Sequence, residues 1–323
     1  MRKGIILLAI CAASAVWGAD TAGIGGPVSG YVVDGRFRAL RPINGIPGAA
    51  RLGDPIDLPF AIGNAAIATS QDYAIVTRGN GDGRPSLVVG LRSGAPQLRP
   101  VDRAIVPSGM LIGDSGAVAI LYSDTQLQFV SGLPAAPDAS DPVGLDGVNG
   151  VAAAALDATG ANALLVSRDG NIYRAARGAS PVWVARVPGA VSASFVPGSD
   201  DAAVASADSG DVVLLHGLSG SLTIRTVAGA ANGLTSARSV RAINGSELAV
   251  VDGQGRLGVV AVETGSVEWV GLAGAADRIE TLARGLLVLN QAGSRPLLLL
   301  DLNQGHAPYF VPPDDRGEGH HRK

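Results

Sequence analysis

Six polar residues recur where they could act together: Asp34, Asp124, Asp169, Asp208, Asp252 and Asn290. Each follows an apolar run and precedes or accompanies a turn, as in Ser167-Arg168-Asp169-Gly170-Asn171 and Val251-Asp252-Gly253-Gln254-Gly255. Carboxylates gathered on one face would attract a cation or a basic partner. The competing reading is local, because an Asp or Asn side chain caps a tight turn through the backbone beside it. These six are the candidate binding residues, and no catalytic or metal-ligating set accompanies them.

Other candidate chemistry is thinner. His216 and His306 stand alone in their segments, and His320 and His321 lie close to the C-terminus. A histidine metal site needs several imidazoles converging on one point. Thr77-Arg78-Gly79-Asn80-Gly81-Asp82-Gly83 has the rhythm of a calcium loop. It lacks the further carboxylates of an oxygen cage, and reads as a long hairpin turn. Ser219-Gly220-Ser221 sits in a turn, with no partner set for a nucleophile. The acids of Asp200-Asp201 and Asp314-Asp315 are adjacent, and neighbouring side chains on a strand face opposite ways. Cys11 is the only cysteine, and Lys3 and Lys323 are the only lysines. A chain that has lost Cys11 can form no disulfide and no thiolate site. The scarcity of lysine excludes Schiff-base chemistry and a phosphate loop of the Gly-Lys-Ser/Thr type. No cofactor is expected.

The elements that must carry these turns repeat along the chain. Ala161 to Tyr173 reads apolar strand, polar turn with Gly, apolar strand, and the phrase returns at Ala202 to Val213 and at Leu248 to Leu257. Tyr31 to Phe37 is a short copy, and looser ones run over Tyr73 to Val88, Val118 to Phe129 and Leu286 to Leu300. The turn glycines Gly170, Gly210, Gly255 and Gly293 stand 40, 45 and 38 residues apart. A period of roughly 40 to 45 residues, with several short strands in each unit, marks the blade of a β-propeller. Helical arrays share part of that range. Runs rich in Val, broken every few residues by Gly, Ser, Asp or Asn, decide for strands.

The expectation is an all-β, seven-bladed β-propeller of about four antiparallel strands per blade, filling residues 20–312. The units run 20–59, 60–100, 101–142, 143–188, 189–230, 231–272 and 273–312. Ile56-Asp57-Leu58 reads as a strand of the first unit, and no good innermost strand precedes Tyr31. Whether the first blade has three strands or is completed by the C-terminus stays open.

Residues 1–19 have a basic start, an apolar run from Gly4 to Val16, and Trp17-Gly18-Ala19. That pattern reads as a secretory signal, with cleavage after Ala15 or Ala19. A lipoprotein signal at Cys11 is the rival, against which bulky Ile10 counts; a retained anchor is a further one. Export to the periplasm or the exterior follows as an expectation, with no membrane span in the mature chain. Residues 313–323 read as a charged, disordered tail. Of 323 residues, 45 are Gly and 47% are hydrophobic, enough for a large core with many tight turns. The net charge is −3, and becomes −5 once Arg2 and Lys3 are removed. A mildly acidic chain with scattered Arg excludes nucleic acid as a natural partner.

Ala158-Thr159-Gly160, Asp252-Gly253-Gln254-Gly255 and Glu263-Thr264-Gly265 carry a family likeness. In blade style the chain resembles WD-repeat-like and YVTN-type bacterial β-propellers. It lacks the Trp-Asp ending and Gly-His opening of true WD repeats, and with them that family's hydrogen-bond network. The resemblance implies a disc with a central channel, used as a monomeric, non-catalytic scaffold for a protein or small ligand. The alternatives are a lactonase-like hydrolase with a metal or carboxylate site in the channel, and a cell-surface structural protein.

Overall fold

The computed structural model describes residues 27–313. The expected signal at 1–19, residues 314–323 of the expected tail at 313–323, and Cys11, Lys3, Lys323, Asp314, Asp315, His320 and His321 lie outside the described residues. Seven antiparallel sheets follow one another along the chain. Blade 1 holds β1 (Val28–Asp34), β2 (Ala39–Asn44) and β3 (Arg51–Leu52). Blade 2 holds β4 (Ile62–Ile67), β5 (Tyr73–Arg78), β6 (Pro85–Val89) and β7 (Gln97–Pro100). Blade 3 holds β8 (Gly109–Ile112), β9 (Val118–Tyr122) and β10 (Gln126–Ser131), with an outer edge split between β11 (Asp138–Ala139) and β12 (Val143–Gly144). Blade 4 is β13 (Val151–Leu156), β14 (Asn162–Ser167), β15 (Asn171–Ala176) and β16 (Val182–Arg186). Blade 5 is β17 (Ala190–Phe195), β18 (Ala202–Ser206), β19 (Val212–His216) and β20 (Thr223–Ala228). Blade 6 is β21 (Ser239–Ala242), β22 (Glu247–Val251), β23 (Leu257–Ala261) and β24 (Val267–Val270). Blade 7 is β25 (Glu280–Ala283), β26 (Leu286–Val288), β27 (Leu297–Asp301) and β28 (Ala307–Val311). Two short 3-10 turns are the only helical elements among the described residues.

The middle of a blade's second strand is apolar because both of its faces are covered. Leu164 and Val166 of β14 pack with blade 5, whereas Ala163 and Leu165 pack with blade 3. Successive side chains on a strand point to opposite faces, so one run serves two interfaces. The buried apolar residues form seven clusters, and each cluster spans one pair of neighbouring blades. Blades 7 and 1 share the cluster of Val32, Ile43, Leu52, Leu282, Leu297, Leu299 and Val311, which closes the ring. Each fully buried Leu or Ile contributes about 1.5–3 kcal/mol to that packing.

Closure uses no exchanged strand. Blade 1 has three strands from its own segment, and β28 completes blade 7 alone. β1 runs against the direction of the innermost strands. Its early residue Gly30 lies on Leu282 at the far end of β25, and Gly35 N–H donates to Ala292 O in the turn after β26. β1 thus has the course of a second strand, and no described strand covers its inner edge. The expected strand at Ile56-Asp57-Leu58 is irregular backbone, and Arg51–Leu52 forms the third strand instead. Pro55 and Pro59 flank the segment, and proline cannot donate to a ladder. Blade 3 extends past the expected boundary at Pro142, because β12 still pairs with β10.

Turn chemistry sets the entrances to the blades. Gly170 has φ +80°, and a Cβ there would stand 2.5 Å from Val187 O. Val187 N–H donates to Gly170 O at 2.8 Å, so the turn after β14 is clasped to the connection leaving β16. Only glycine combines that conformation with so close an approach.

Candidate functional site

The turns that carry all six candidate residues lie on one face of the disc. Five connect the second and third strands of blades 3 to 7, and the turn of Asp34 joins β1 to β2 on the same side. The face divides the six into two groups. Asp34, Asp252 and Asn290 are buried, while Asp124, Asp169 and Asp208 are exposed.

The buried three are turn caps. Asp34 Oδ1 accepts from Arg36 N–H at 2.9 Å and Phe37 N–H at 3.3 Å, and Oδ2 accepts from Arg41 Nη1 at 3.0 Å. Asn290 Oδ1 accepts from Leu298 N–H at 2.7 Å, and its Nδ2 donates to Pro296 O at 2.8 Å. Asp252 Oδ1 accepts from the N–H groups of Gln254 and Arg256, each at 3.0 Å. Its Oδ2 accepts from Thr235 Oγ1 at 3.0 Å and from the Arg256 guanidinium at 2.6 Å. Arg256 in turn stacks over Trp269, 4.0 Å from the ring centroid.

Burial pushes the Asp252 carboxyl up, but Arg256, its backbone N–H and Thr235 together hold it below the ordinary Asp value. A carboxyl depressed by folding stabilises the protein above its unfolded value, near 3.9, and that contribution is lost as pH falls through the lower folded value. The urea midpoint of the wild-type chain is therefore expected to fall more steeply below about pH 4 than that of Asp252→Asn. Parallel midpoint curves for the two proteins would remove this account. The substitution keeps a cap of the kind that Asn290 already supplies in blade 7.

The exposed three differ in what they meet. Asp124 takes Arg168 Nη2 on both oxygens, at 3.0 and 3.1 Å, across the gap between blades 3 and 4. Asp169 accepts from the Ser167 hydroxyl and from Asn171 Nδ2, and these bonds, Ser167 first, hold its carboxyl below the usual range. Asp208 makes no hydrogen bond or ion pair among the described residues. It borders a groove of about 520 Å³ between blades 4 and 5, with Asp211, Arg186, Val187, Pro188, Val213 and Ile224. Asp211 and Arg186 have no side-chain partner among the described residues either. Ile224 is 52% exposed on the outer strand, and Val182 and Trp183 stand exposed on the neighbouring β16. The groove combines an apolar wall with two unneutralised carboxylates. The turn pattern pointed to Asp208, but nothing in the recurring phrase singled out Asp211 or Arg186.

The central channel is a second cavity, of about 480 Å³, lined by β1 and by the innermost strands of blades 2 to 7. Its polar lining includes Asn64, Gln71, Asp114, Arg241, Arg278 and Glu280. Arg278 is occupied by Asp277 at 3.1 Å and Glu280 at 3.2 Å. Arg241 reaches across the opening to Asp114 at 2.6 Å, joining blade 6 to blade 3. Among the described residues no three His, Cys, Asp or Glu side chains are placed to hold a metal ion.

The remaining candidates take separate positions. His216 is exposed and pairs with Asp201 at 2.8 Å, and His306 lies 4.0 Å from Glu247. Asp200 and Asp201 accept from the N–H groups of Ser219 and Gly217, so the pair pins one turn to another. Of the expected Thr77–Gly83 loop, Thr77 and Arg78 end β5, with Thr77 buried, and the turn proper starts at Gly79, where Asp82 accepts from Arg84 N–H at 3.1 Å. Ser219 accepts from Arg174 Nη1 at 3.0 Å.

No family model and no curated protein matches this chain. Solved structures do. The crystal structure of the RRP9 WD40 repeats is similar with a TM-score of 0.59 and 12% identity, over 83% of this chain and 86% of that one. The structure of U3-55K is similar with a TM-score of 0.57 and 13% identity, over 82% and 85% of the two chains. At these identities the likeness is one of fold alone, a seven-bladed β-propeller.

Proposed function

We propose that the protein is an exported, non-catalytic binding scaffold of the WD-repeat-like, YVTN-type style. It holds a protein partner in the groove between blades 4 and 5. The observation that carries this reading is the pair of carboxylates without a partner among the described residues, Asp208 and Asp211, beside the exposed apolar side chain of Ile224. A groove of that make-up fits an extended segment that offers one Arg or Lys side chain between apolar neighbours. The cation replaces lost water with two carboxylates, and the apolar residues cover surface that is costly to leave wet. Asp169 lies exposed in the corresponding turn of blade 4. Export rests on the pattern of residues 1–19.

Peptides selected from a random display library against the folded protein test the reading. The enriched sequences are expected to carry a basic residue flanked by apolar ones. Asp208→Asn combined with Asp211→Asn should weaken their binding roughly tenfold, about 1.4 kcal/mol, with an unchanged circular dichroism spectrum. Selected peptides that bind the double variant as tightly as the wild type would end the proposal.

A further inference from the structure

The channel opening on the opposite face holds an arrangement that the groove does not explain. Arg241 projects from β21 and gives one Nη2 bond to the Asp114 carboxylate, while its Nε and Nη1 make no hydrogen bond among the described residues. Its side chain is 30% exposed and that of Asp114 is 50% exposed, so solvent reaches the pair from the channel. A guanidinium is a planar fork built to take both oxygens of a carboxylate, and here one prong is used.

Each half of the pair is positioned without the other. The backbone of β21 is fixed by two serines of blade 5: Val240 N–H donates to Ser192 Oγ and Ala242 N–H to Ser194 Oγ, each at 3.1 Å. The turn of Asp114 is closed by Gly116 N–H to Gly113 O at 2.8 Å, and is tethered by Thr69 Oγ1, which donates to Asp114 O at 3.0 Å. The ion pair is therefore an addition to two finished elements. A half-exposed pair of this kind contributes little to stability.

We propose that Arg241 is the anchor of a carboxylate-binding site in the channel, and that Asp114 is its resident occupant in the unliganded protein. The ligand class is a small organic molecule with a free carboxylate. Displacing Asp114 leaves Arg241 as the one cation of the lining that is not already held by acids, because Arg278 keeps Asp277 and Glu280. The cavity, about 480 Å³, falls within the range of small-molecule pockets. Asn64, whose Nδ2 keeps one hydrogen beyond its bond to Ser108 O, supplies a polar contact for the rest of such a ligand. No bond is made or broken, and the internal carboxylate is exchanged for an external one.

Succinate is the probe, titrated calorimetrically at constant ionic strength. An internal occupant lowers apparent affinity by the fraction of time it holds the anchor, so Asp114→Asn should bind succinate about tenfold more tightly than wild type. Arg241→Gln should abolish binding, both alone and combined with Asp114→Asn. A folded Asp114→Asn protein that binds no more tightly than wild type overturns the proposal, as does binding that survives Arg241→Gln. If Asp114→Asn does not fold, the wild-type chain decides by itself. The 15Nε resonance of Arg241 should move with succinate and stay still with the neutral succinamide; a resonance unmoved by succinate is the contrary result. The groove between blades 4 and 5 is untouched by either substitution, so the two proposals stand or fall apart.

Discussion

Asp34→Ala is expected to lower the unfolding free energy by about 3–5 kcal/mol, the cost of breaking a buried ion pair from one side. Asp34 and Arg41 are each 1% exposed and stand 3.0 Å apart inside blade 1. The carboxylate also caps the turn to β2, while Arg41 Nε donates to Gly53 O at 2.7 Å and its guanidinium lies 5.2 Å from the Phe37 ring. The substitution removes the Asp34 carboxylate from a cation that stays buried, and frees the N–H groups of Arg36 and Phe37. Asp34→Asn keeps an acceptor for those two donors and should cost less than Asp34→Ala. Urea denaturation of the three proteins checks the order. A loss within about 0.5 kcal/mol of zero, the range of ordinary surface changes, would mean that the pair does not hold blade 1 together.

Ile43→Ala should cost about 2–5 kcal/mol, the usual price of emptying a fully buried aliphatic site. What sets it apart from a substitution elsewhere in the ring is where the loss appears. Ile43 sits with Leu52 against Leu297, Leu299 and Val311, at the seam where blade 1 meets blade 7. No strand crosses that seam. It is spanned by Gly35 N–H to Ala292 O at 3.2 Å and by the packing itself, and is bridged from blade 2 by Gln71, which accepts from Tyr31 N–H of blade 1 and donates through Nε2 to Leu282 O of blade 7. The amides of β1, β25 and β28 should exchange with deuterium faster by at least about tenfold, since each 1.4 kcal/mol of local destabilisation is a factor of ten in opening. Leu165→Ala, between blades 3 and 4, should cost a similar amount and leave the seam's exchange unchanged. Equal acceleration around the whole ring would show that blades 1 and 7 are no weaker a junction than the others.

These two residues also show how differently parts of the molecule were legible. Ile43 stands directly before Asn44-Gly45, a turn-forming pair, yet it lies within β2 and fills the seam. Ile56-Asp57-Leu58 has the better strand composition, and the prolines on either side override it. Asp34 and Asp208 occupy the same place in the recurring phrase. One is sealed under Arg41 and the other stands open in a groove, because a buried arginine follows the first and none covers the second. Asp114 and Arg241 are 127 residues apart, and no spacing within one unit joins blade 3 to blade 6.

The chain determined its blade count, its all-strand class and the side on which the Asp turns lie. All three depend on patterns that act within a few residues and recur: alternation buries both faces of a second strand, and Gly with Asp or Asn closes the turn after it. Only the tertiary structure decided which carboxylates are caps and which are free, how blade 1 closes without a partner strand, and what faces what across the channel. Those outcomes are set when distant blades are brought into contact. Burial and electrostatic pairing then act on distances that exist only after the ring has formed.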